Sequence, residues 1–191
     1  AWLAEHEPHV LQQVRAACVP HDWLTYKLSG RHVTDRSDAS GTGYYSVQGQ
    51  WLTDLLAEIV SPDLPWSSIV PTVMGPSEPV GTVAPSIAAE LGLRRDVVVG
   101  PGAGDQHAGA VGMGLGEGEV LYSLGTSGVV ISVSNRPLVD LTGMVNSVAD
   151  ATGRFLPLVC TLNCTKITDT FTRLLGTNHE ELAAWALAAP L

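Results

Sequence analysis

Apolar residues recur along this chain at two spacings, and the switch between them divides it into elements. From 51 to 60, Leu52, Leu55, Leu56, Ile59 and Val60 fall at i, i+3, i+4, i+7 and i+8, which predicts an amphipathic helix whose stripe, with Trp51, is core. Ile167, Phe171, Leu174 and Leu175 repeat that spacing over 165–175, and Gly176 ends the helix. The first thirty residues read as helical: Pro8 suits the first turn of a helix reaching about Ala17, and Pro20 the first turn of the next, ended by Gly30. Pro85 opens a helix that Gly92 ends, and Thr177 with Glu180 matches a capping box for a last helix. Other apolar runs are short and β-branched. Residues 97–99 read as a buried strand, 120–123 and 129–133 as a hairpin, and 144–149 and 155–160 as a second hairpin around Ala151-Thr152-Gly153-Arg154. Residues 34–40, rich in Thr, Asp and Ser, predict a turn or helix start capped by Asp35 or Asp38. Tyr44, Tyr45 and Val47 read as extended, and 62–79 as a proline-rich connector.

Composition narrows the function classes. The chain of 191 residues is 45% hydrophobic and 15% charged, enough apolar material for one large or two small domains. A formal net charge of −9 argues against nucleic acid or an anionic membrane as partner, while leaving room for an anion site built from backbone amides. No apolar run approaches the roughly twenty residues that span a bilayer. Three cysteines, Cys18, Cys160 and Cys164, read as reduced, mostly buried thiols of a cytoplasmic protein, without the spacing of a zinc site. His6 and His9 lie three apart with no third ligand nearby, so a metal pair is not expected there. The chain begins on Ala1 within helical sequence and ends on an apolar helix without a cap, so it reads as an interior piece of a longer polypeptide or, alternatively, as starting at a processed N-terminus.

Chemistry concentrates between 97 and 128. A glycine-rich turn, Gly100-Pro101-Gly102-Ala103-Gly104, follows a strand and ends on Asp105 at the start of a small-residue helix. A dinucleotide site needs G-x-G-x-x-G within a parallel βαβ unit, whereas here an acid follows the third glycine and the next strand enters a hairpin. Asp105 reads either as a helix cap or as a general base at the mouth of a strand. His107 reads as an exposed or hydrogen-bonded histidine. The loop Leu124-Gly125-Thr126-Ser127-Gly128 offers glycines that allow successive amides to converge on an anion and two hydroxyl donors, a phosphate-binding reading that competes with a plain hairpin turn.

These stretches together resemble the FGGY carbohydrate kinases. GPGAGDQHAGAVGMG followed by SLGTSG is similar to the family's centre; Pro20-His21-Asp22-Trp23-Leu24, the run Thr34-Asp35-Arg36-Ser37-Asp38-Ala39-Ser40-Gly41-Thr42 and Pro79-Val80-Gly81-Thr82-Val83 match its segments in the same order, over residues 1 to about 176. The resemblance implies a ribonuclease H-like (actin-like ATPase) α/β fold, with the later part of the first domain, a sugar-binding unit, in 1–115 and the opening part of the second, an ATP-binding unit, in 116–191. Residues 112–118 become the hinge. It implies ATP and Mg²⁺ as cofactors, Asp105 as general base, Asp105 and Gln106 as sugar ligands, and Gly125, Thr126 and Ser127 around the β/γ-phosphates. Mg²⁺ and adenosine contacts are expected outside these residues, and the protein as a homodimer. Gln106 stands where many members have Asn. The resemblance is strongest to members that phosphorylate D-xylulose, and the loop sequence favours these and gluconate-kinase-like members over glycerol kinases; gluconate, ribulose or glycerol kinases, or a non-catalytic fragment or binding module, remain as alternatives. Phosphoryl transfer suits an ionised carboxylate and amide donors, because it needs placement and charge neutralisation more than a shifted pKa.

Overall fold

The computed structural model describes residues 1–46 and 48–190; of the expected extended segment, Val47 lies outside them. Proline and glycine positions set most helix limits. Helix α3 (Pro20–Ser29) has proline at its first position and is followed by Gly30 in the left-handed region, as α7 (Pro85–Leu91) is by Gly92 and α9 (Thr165–Leu175) by Gly176. The long helix expected from Pro8 does not form. Helix α1 (Trp2–His6) is followed by α2 (Pro8–Leu11), a single turn; beyond it Val14 and Ala17 pack on Ile69 and its neighbours, and the Ala17 amide donates to the Ile69 carbonyl at 2.9 Å, a tertiary bond in place of a helical one. His6 stacks on Trp2 with ring centroids 4.7 Å apart, and His9 faces Glu7 at 3.7 Å.

The segment 31–83 builds a parallel pair that its sequence hides. Strand β1 (Val33–Asp35) leads into α4 (Arg36–Gly41), with Asp35 capping the helix as expected: its carboxylate accepts the amides of Ser37 and Asp38. Helix α5 is shorter than its stripe predicts (Thr53–Ile59), and only Leu56 is buried, while Leu52, Leu55 and Ile59 lie exposed. The proline-rich connector contains α6 (Trp66–Ile69) and β2 (Thr72–Met74), which pairs parallel with β1, Val33 opposite Thr72. Its prolines lie outside the three paired residues, so they mask the strand without breaking it. Leu56, Trp66, Ile69 and Val70 form one core, into which Trp51 and Tyr44 lean. Strand β3 (Gly81–Thr82) pairs antiparallel with β4 (Val98–Val99), and Val33, Met74, Val80, Val83, Ala88 and Val99 form a second core. Only Val99 of the valine run is buried; Val98 is 63% exposed, since a two-residue edge strand has one covered face.

Helix α8 (Asp105–Gly112) links these cores to an antiparallel sheet. That sheet has β5 (Val120–Leu124) beside β6 (Gly128–Ser132), then β8 (Phe155–Thr161), then β7 (Asn146–Ala149), so the two predicted hairpins form and join through β6 and β8. Ala110 of α8 sits against Val129, Ile131, Val133, Val148 and Leu156, the third core. Helix α4 is bound to this sheet: the Ser40 hydroxyl accepts the Ala149 amide at 2.8 Å, and Arg36 donates to the Arg154 carbonyl at 2.8 Å with its guanidinium 4.9 Å from the Phe155 ring. The expected stripe on α9 faces outward, with Ile167, Phe171 and Leu174 exposed, because no described element lies over it. The last helix, α10 (His179–Ala188), is capped one residue later than expected: Asn178 accepts the Glu181 amide, while the Thr177 hydroxyl donates to the Glu181 carboxylate. Cys18 and Cys160 are exposed and Cys164 half-buried, against the expectation of buried thiols. No helix among the described residues is long and apolar enough to cross a membrane.

Candidate active site

Asp105 is the first residue of α8, and its place follows from the turn before it. Gly104, in extended conformation, occupies the cap position and offers no side chain, so the expected capping by Asp105 does not occur. The Asp105 carboxylate accepts only the neighbouring Gln106 amide, at 2.7 Å, and is otherwise exposed. It opens onto a cleft of about 410 Å³ that it shares with Gln106, Asp38, Ser40, Asn146 and Ser147 among its polar lining. Asp105 and Gln106 are therefore brought together. Residues 125–127 do not line this cleft, which is floored instead by β7 and β8 residues Val148 and Leu158.

The 125–127 loop has a distinct donor and acceptor polarity. Gly125 O accepts the Thr165 amide and hydroxyl at 3.0 and 2.8 Å, Thr126 O accepts the Cys164 amide at 3.0 Å, and Ser127 O accepts the Gly125 amide at 3.0 Å. All three carbonyls are thus engaged. The amides and hydroxyls of Thr126 and Ser127 make no hydrogen bond among the described residues. Neither Gly125 nor Gly128 has positive φ, so the amides are not arranged by left-handed glycines as expected. The donor face arises because the start of α9 consumes the acceptors. Gly128 is needed for proximity: a Cβ there would lie 3.0 Å from the Thr161 hydroxyl and 3.3 Å from Cys164 Sγ.

Beneath the glycine turn lies a buried charge cluster. His21 Nε2 is 2.9 Å from Asp38 and 3.1 Å from Asp35, and His21 Nδ1 is 3.5 Å from Asp22. The hydrogen bond to Asp35 raises the His21 pKa most, burial opposes it, and the charges of Asp22 and Asp38 add to the rise. Burial pushes Asp35 upward, but hydrogen bonds from His21 and Ser37 outweigh it and hold the carboxyl below its usual range. Burial raises Asp22. These three groups are near enough together to hold a metal ion; the Asp35 and Asp38 carboxylates both face His21 Nε2 at ion-pair distance, and neither His21 ring nitrogen has a well-aligned hydrogen bond among the described residues. His107, one turn into α8, is neither exposed nor satisfied: both ring nitrogens are buried without a hydrogen bond among the described residues, and desolvation lowers its pKa.

The model of the FGGY family of carbohydrate kinases, N-terminal domain, matches residues 1–112. The chain belongs to the FGGY family. It is 43% identical to the xylulose kinase of Streptomyces rubiginosus over 180 residues, 94% of this chain and 36% of that protein. The crystal structure of xylulose kinase from Bifidobacterium adolescentis superposes with a TM-score of 0.86 at 37% identity, over 99% of this chain and 42% of that one. The gluconate kinase from Lactobacillus acidophilus reaches 0.87 at 20% identity, over 99% of this chain and 39% of its own, a likeness of fold alone. This chain thus spans well under half the length of the relatives it matches.

Within this FGGY chain, sequence reasoning reached Asp105, Gln106 and the 125–127 loop but gave no site role to His21, Asp22, Ser37 or Asn146. The signal was present for the first three: an acidic pair and a histidine in Pro20-His21-Asp22 and in Thr34–Asp38, within a chain only 15% charged. Asn146 carries no such signal, because β7 reaches the cleft only through tertiary pairing. The parallel βαβ unit of a dinucleotide site is not formed, since β4 pairs antiparallel with β3 and β5 starts a separate sheet.

Proposed function

We propose that these residues are the middle of an ATP-dependent sugar kinase that phosphorylates D-xylulose to D-xylulose 5-phosphate. The observation that carries the reading is the open carboxylate of Asp105 beside Gln106 in a polar cleft of about 410 Å³. Asp105 takes the proton from the sugar's terminal hydroxyl as its oxygen attacks the γ-phosphorus and ADP departs. Gln106 hydrogen-bonds the sugar. The donor face of Thr126 and Ser127 fits the β/γ-phosphates, because unspent amides and hydroxyls stabilise anionic oxygens without adding formal charge. Mg²⁺ neutralises phosphate charge when bound. As the family resemblance implies, the metal's ligands and the adenosine contacts are assigned to residues outside 1–191.

The reading divides the chain at about residue 115, between a sugar-binding ribonuclease H-like domain and the start of an ATP-binding one. The family match to 1–112 and the glycine-rich 112–118 segment after α8 support that division. The outward apolar stripe on α9 supports placement within a larger enzyme. The similarity to xylulose kinases favours D-xylulose over gluconate, ribulose or glycerol. A coupled ADP assay on the complete kinase with a panel of these sugars tests the choice: ADP release with D-xylulose far above the others is expected, and a preference for gluconate or glycerol contradicts it.

A further inference from the structure

We propose that His21 is a positioning residue: held between the Asp35 and Asp38 carboxylates, it seats the turn 102–104 that delivers Asp105 to the cleft. The proposal rests on reading Asp105 as the proton acceptor. It starts from contacts between three distant segments. A Cβ on Gly102 would lie 2.7 Å from His21 Nδ1 and 3.0 Å from its Cε1, so the turn's backbone rides directly on the imidazole. Gly102 also adopts φ 89°, which a side chain would resist. A Cβ on Gly104 would lie 2.5 Å from Asp38 Oδ1 and 2.6 Å from His107 Nδ1. The Gly104 amide donates to the Ser37 hydroxyl at 3.3 Å, and that hydroxyl donates to Asp35, which faces His21. Asp105 is the next residue in the chain.

Charge makes His21 the one group whose protonation holds this arrangement. The titratable groups facing it are Asp22 from its own helix and Asp35 and Asp38 from the start of α4; His107 of α8 lies, with Asp38, beside Gly104. Burial keeps His107 toward the neutral form, so it does not offset the carboxylates. With His21 protonated, one cation lies among three carboxyls. With His21 neutral, Asp35 and Asp38 repel each other beneath the turn with no cation between their charges. The raised pKa of His21 keeps the proton at neutral pH and releases it as the pH rises through that value.

The test combines activity with two readouts that do not depend on it. In the complete kinase, His21→Gln is expected to lower kcat on the order of tenfold to a hundredfold with the KM for ATP little changed. His21→Lys, whose cation persists to higher pH, is expected to recover kcat and to shift the alkaline limb of the kcat profile upward. In the unmodified protein, imidazole nitrogen NMR is expected to show His21 titrating above its ordinary value, with the protection of the amides at 102–105 relative to their intrinsic exchange rate falling over the same pH range. These two measurements stand even if a variant fails to fold. Unchanged kcat and exchange in His21→Gln, or exchange at 102–105 that ignores the His21 titration, overturns the proposal. If instead Asp105→Asn retains full turnover, the failure lies in the base assignment, and the exchange data still judge the link between His21 and the turn.

Discussion

Gly104 shows how much one missing methyl group decides. Its backbone is extended and unstrained, yet an added Cβ would meet both the Asp38 carboxylate and the His107 ring. Gly104→Ala is therefore expected to destabilise the protein by about 1–3 kcal/mol. Gly109→Ala, within α8 and facing open space, should be neutral or stabilising by about 0.5–1 kcal/mol. Urea denaturation of the two variants checks the contrast. The glycine run was legible in the sequence as a place of close approach, but its neighbour was not: the turn is approached by His21 and Asp38, which sequence places far away. Asp35 gives the pH dependence at this scale. Its depressed pKa means a stabilising contribution present above 3.8 and lost as pH falls through the lower folded value. His21 acts in the opposite sense, its contribution present below 6.5 and lost as pH rises through its raised value. Between these limbs the raised Asp22 lowers stability as pH rises above 3.8 and the lowered His107 restores it toward 6.5, so the Asp35 limb is isolated below 3.8, and Asp35→Asn should flatten it in denaturation midpoints measured from about pH 2 to 7.

At the scale of elements, legibility followed local chemistry. Helices stopped by glycine and hairpins flanked by β-branched runs formed close to their predicted positions, because turn and cap preferences act over a few residues. Strand β2 was hidden because its three residues sit among prolines and gain their hydrogen bonds only from β1. Helix α2 fell short because Val14 and Ala17 beyond Leu11 are held by tertiary contacts, the Ala17 amide bonding to the Ile69 carbonyl, which local sequence does not show. Core elements should be sensitive accordingly. Leu156, fully buried on β8 against Ile131 and Val148, is expected to cost about 2–5 kcal/mol when truncated to Ala. Asn178→Ala at the α10 cap should cost about 1 kcal/mol. Thermal melts of both variants check the ranking.

Over the whole molecule, α4 is the connecting piece. Its first turn holds the charge cluster under the glycine turn, and its last holds β7 through Ser40, while Arg36 stacks on Phe155 of β8. Arg36→Ala removes that stack and the bond to the Arg154 carbonyl. A loss of about 1–3 kcal/mol and faster proteolysis within 112–118 are expected, with intact cores as judged by circular dichroism. The two glycine loops that stood out in the sequence prove to differ in kind: one presents a carboxylate to a cleft, the other a donor face shaped by α9. Under the proposed function the first supplies the base and the second holds phosphate, and the direct test is turnover by Asp105→Asn in the complete protein with D-xylulose and ATP. The account predicts a fall in kcat of about 10²–10⁴ with sugar binding retained; undiminished turnover contradicts it.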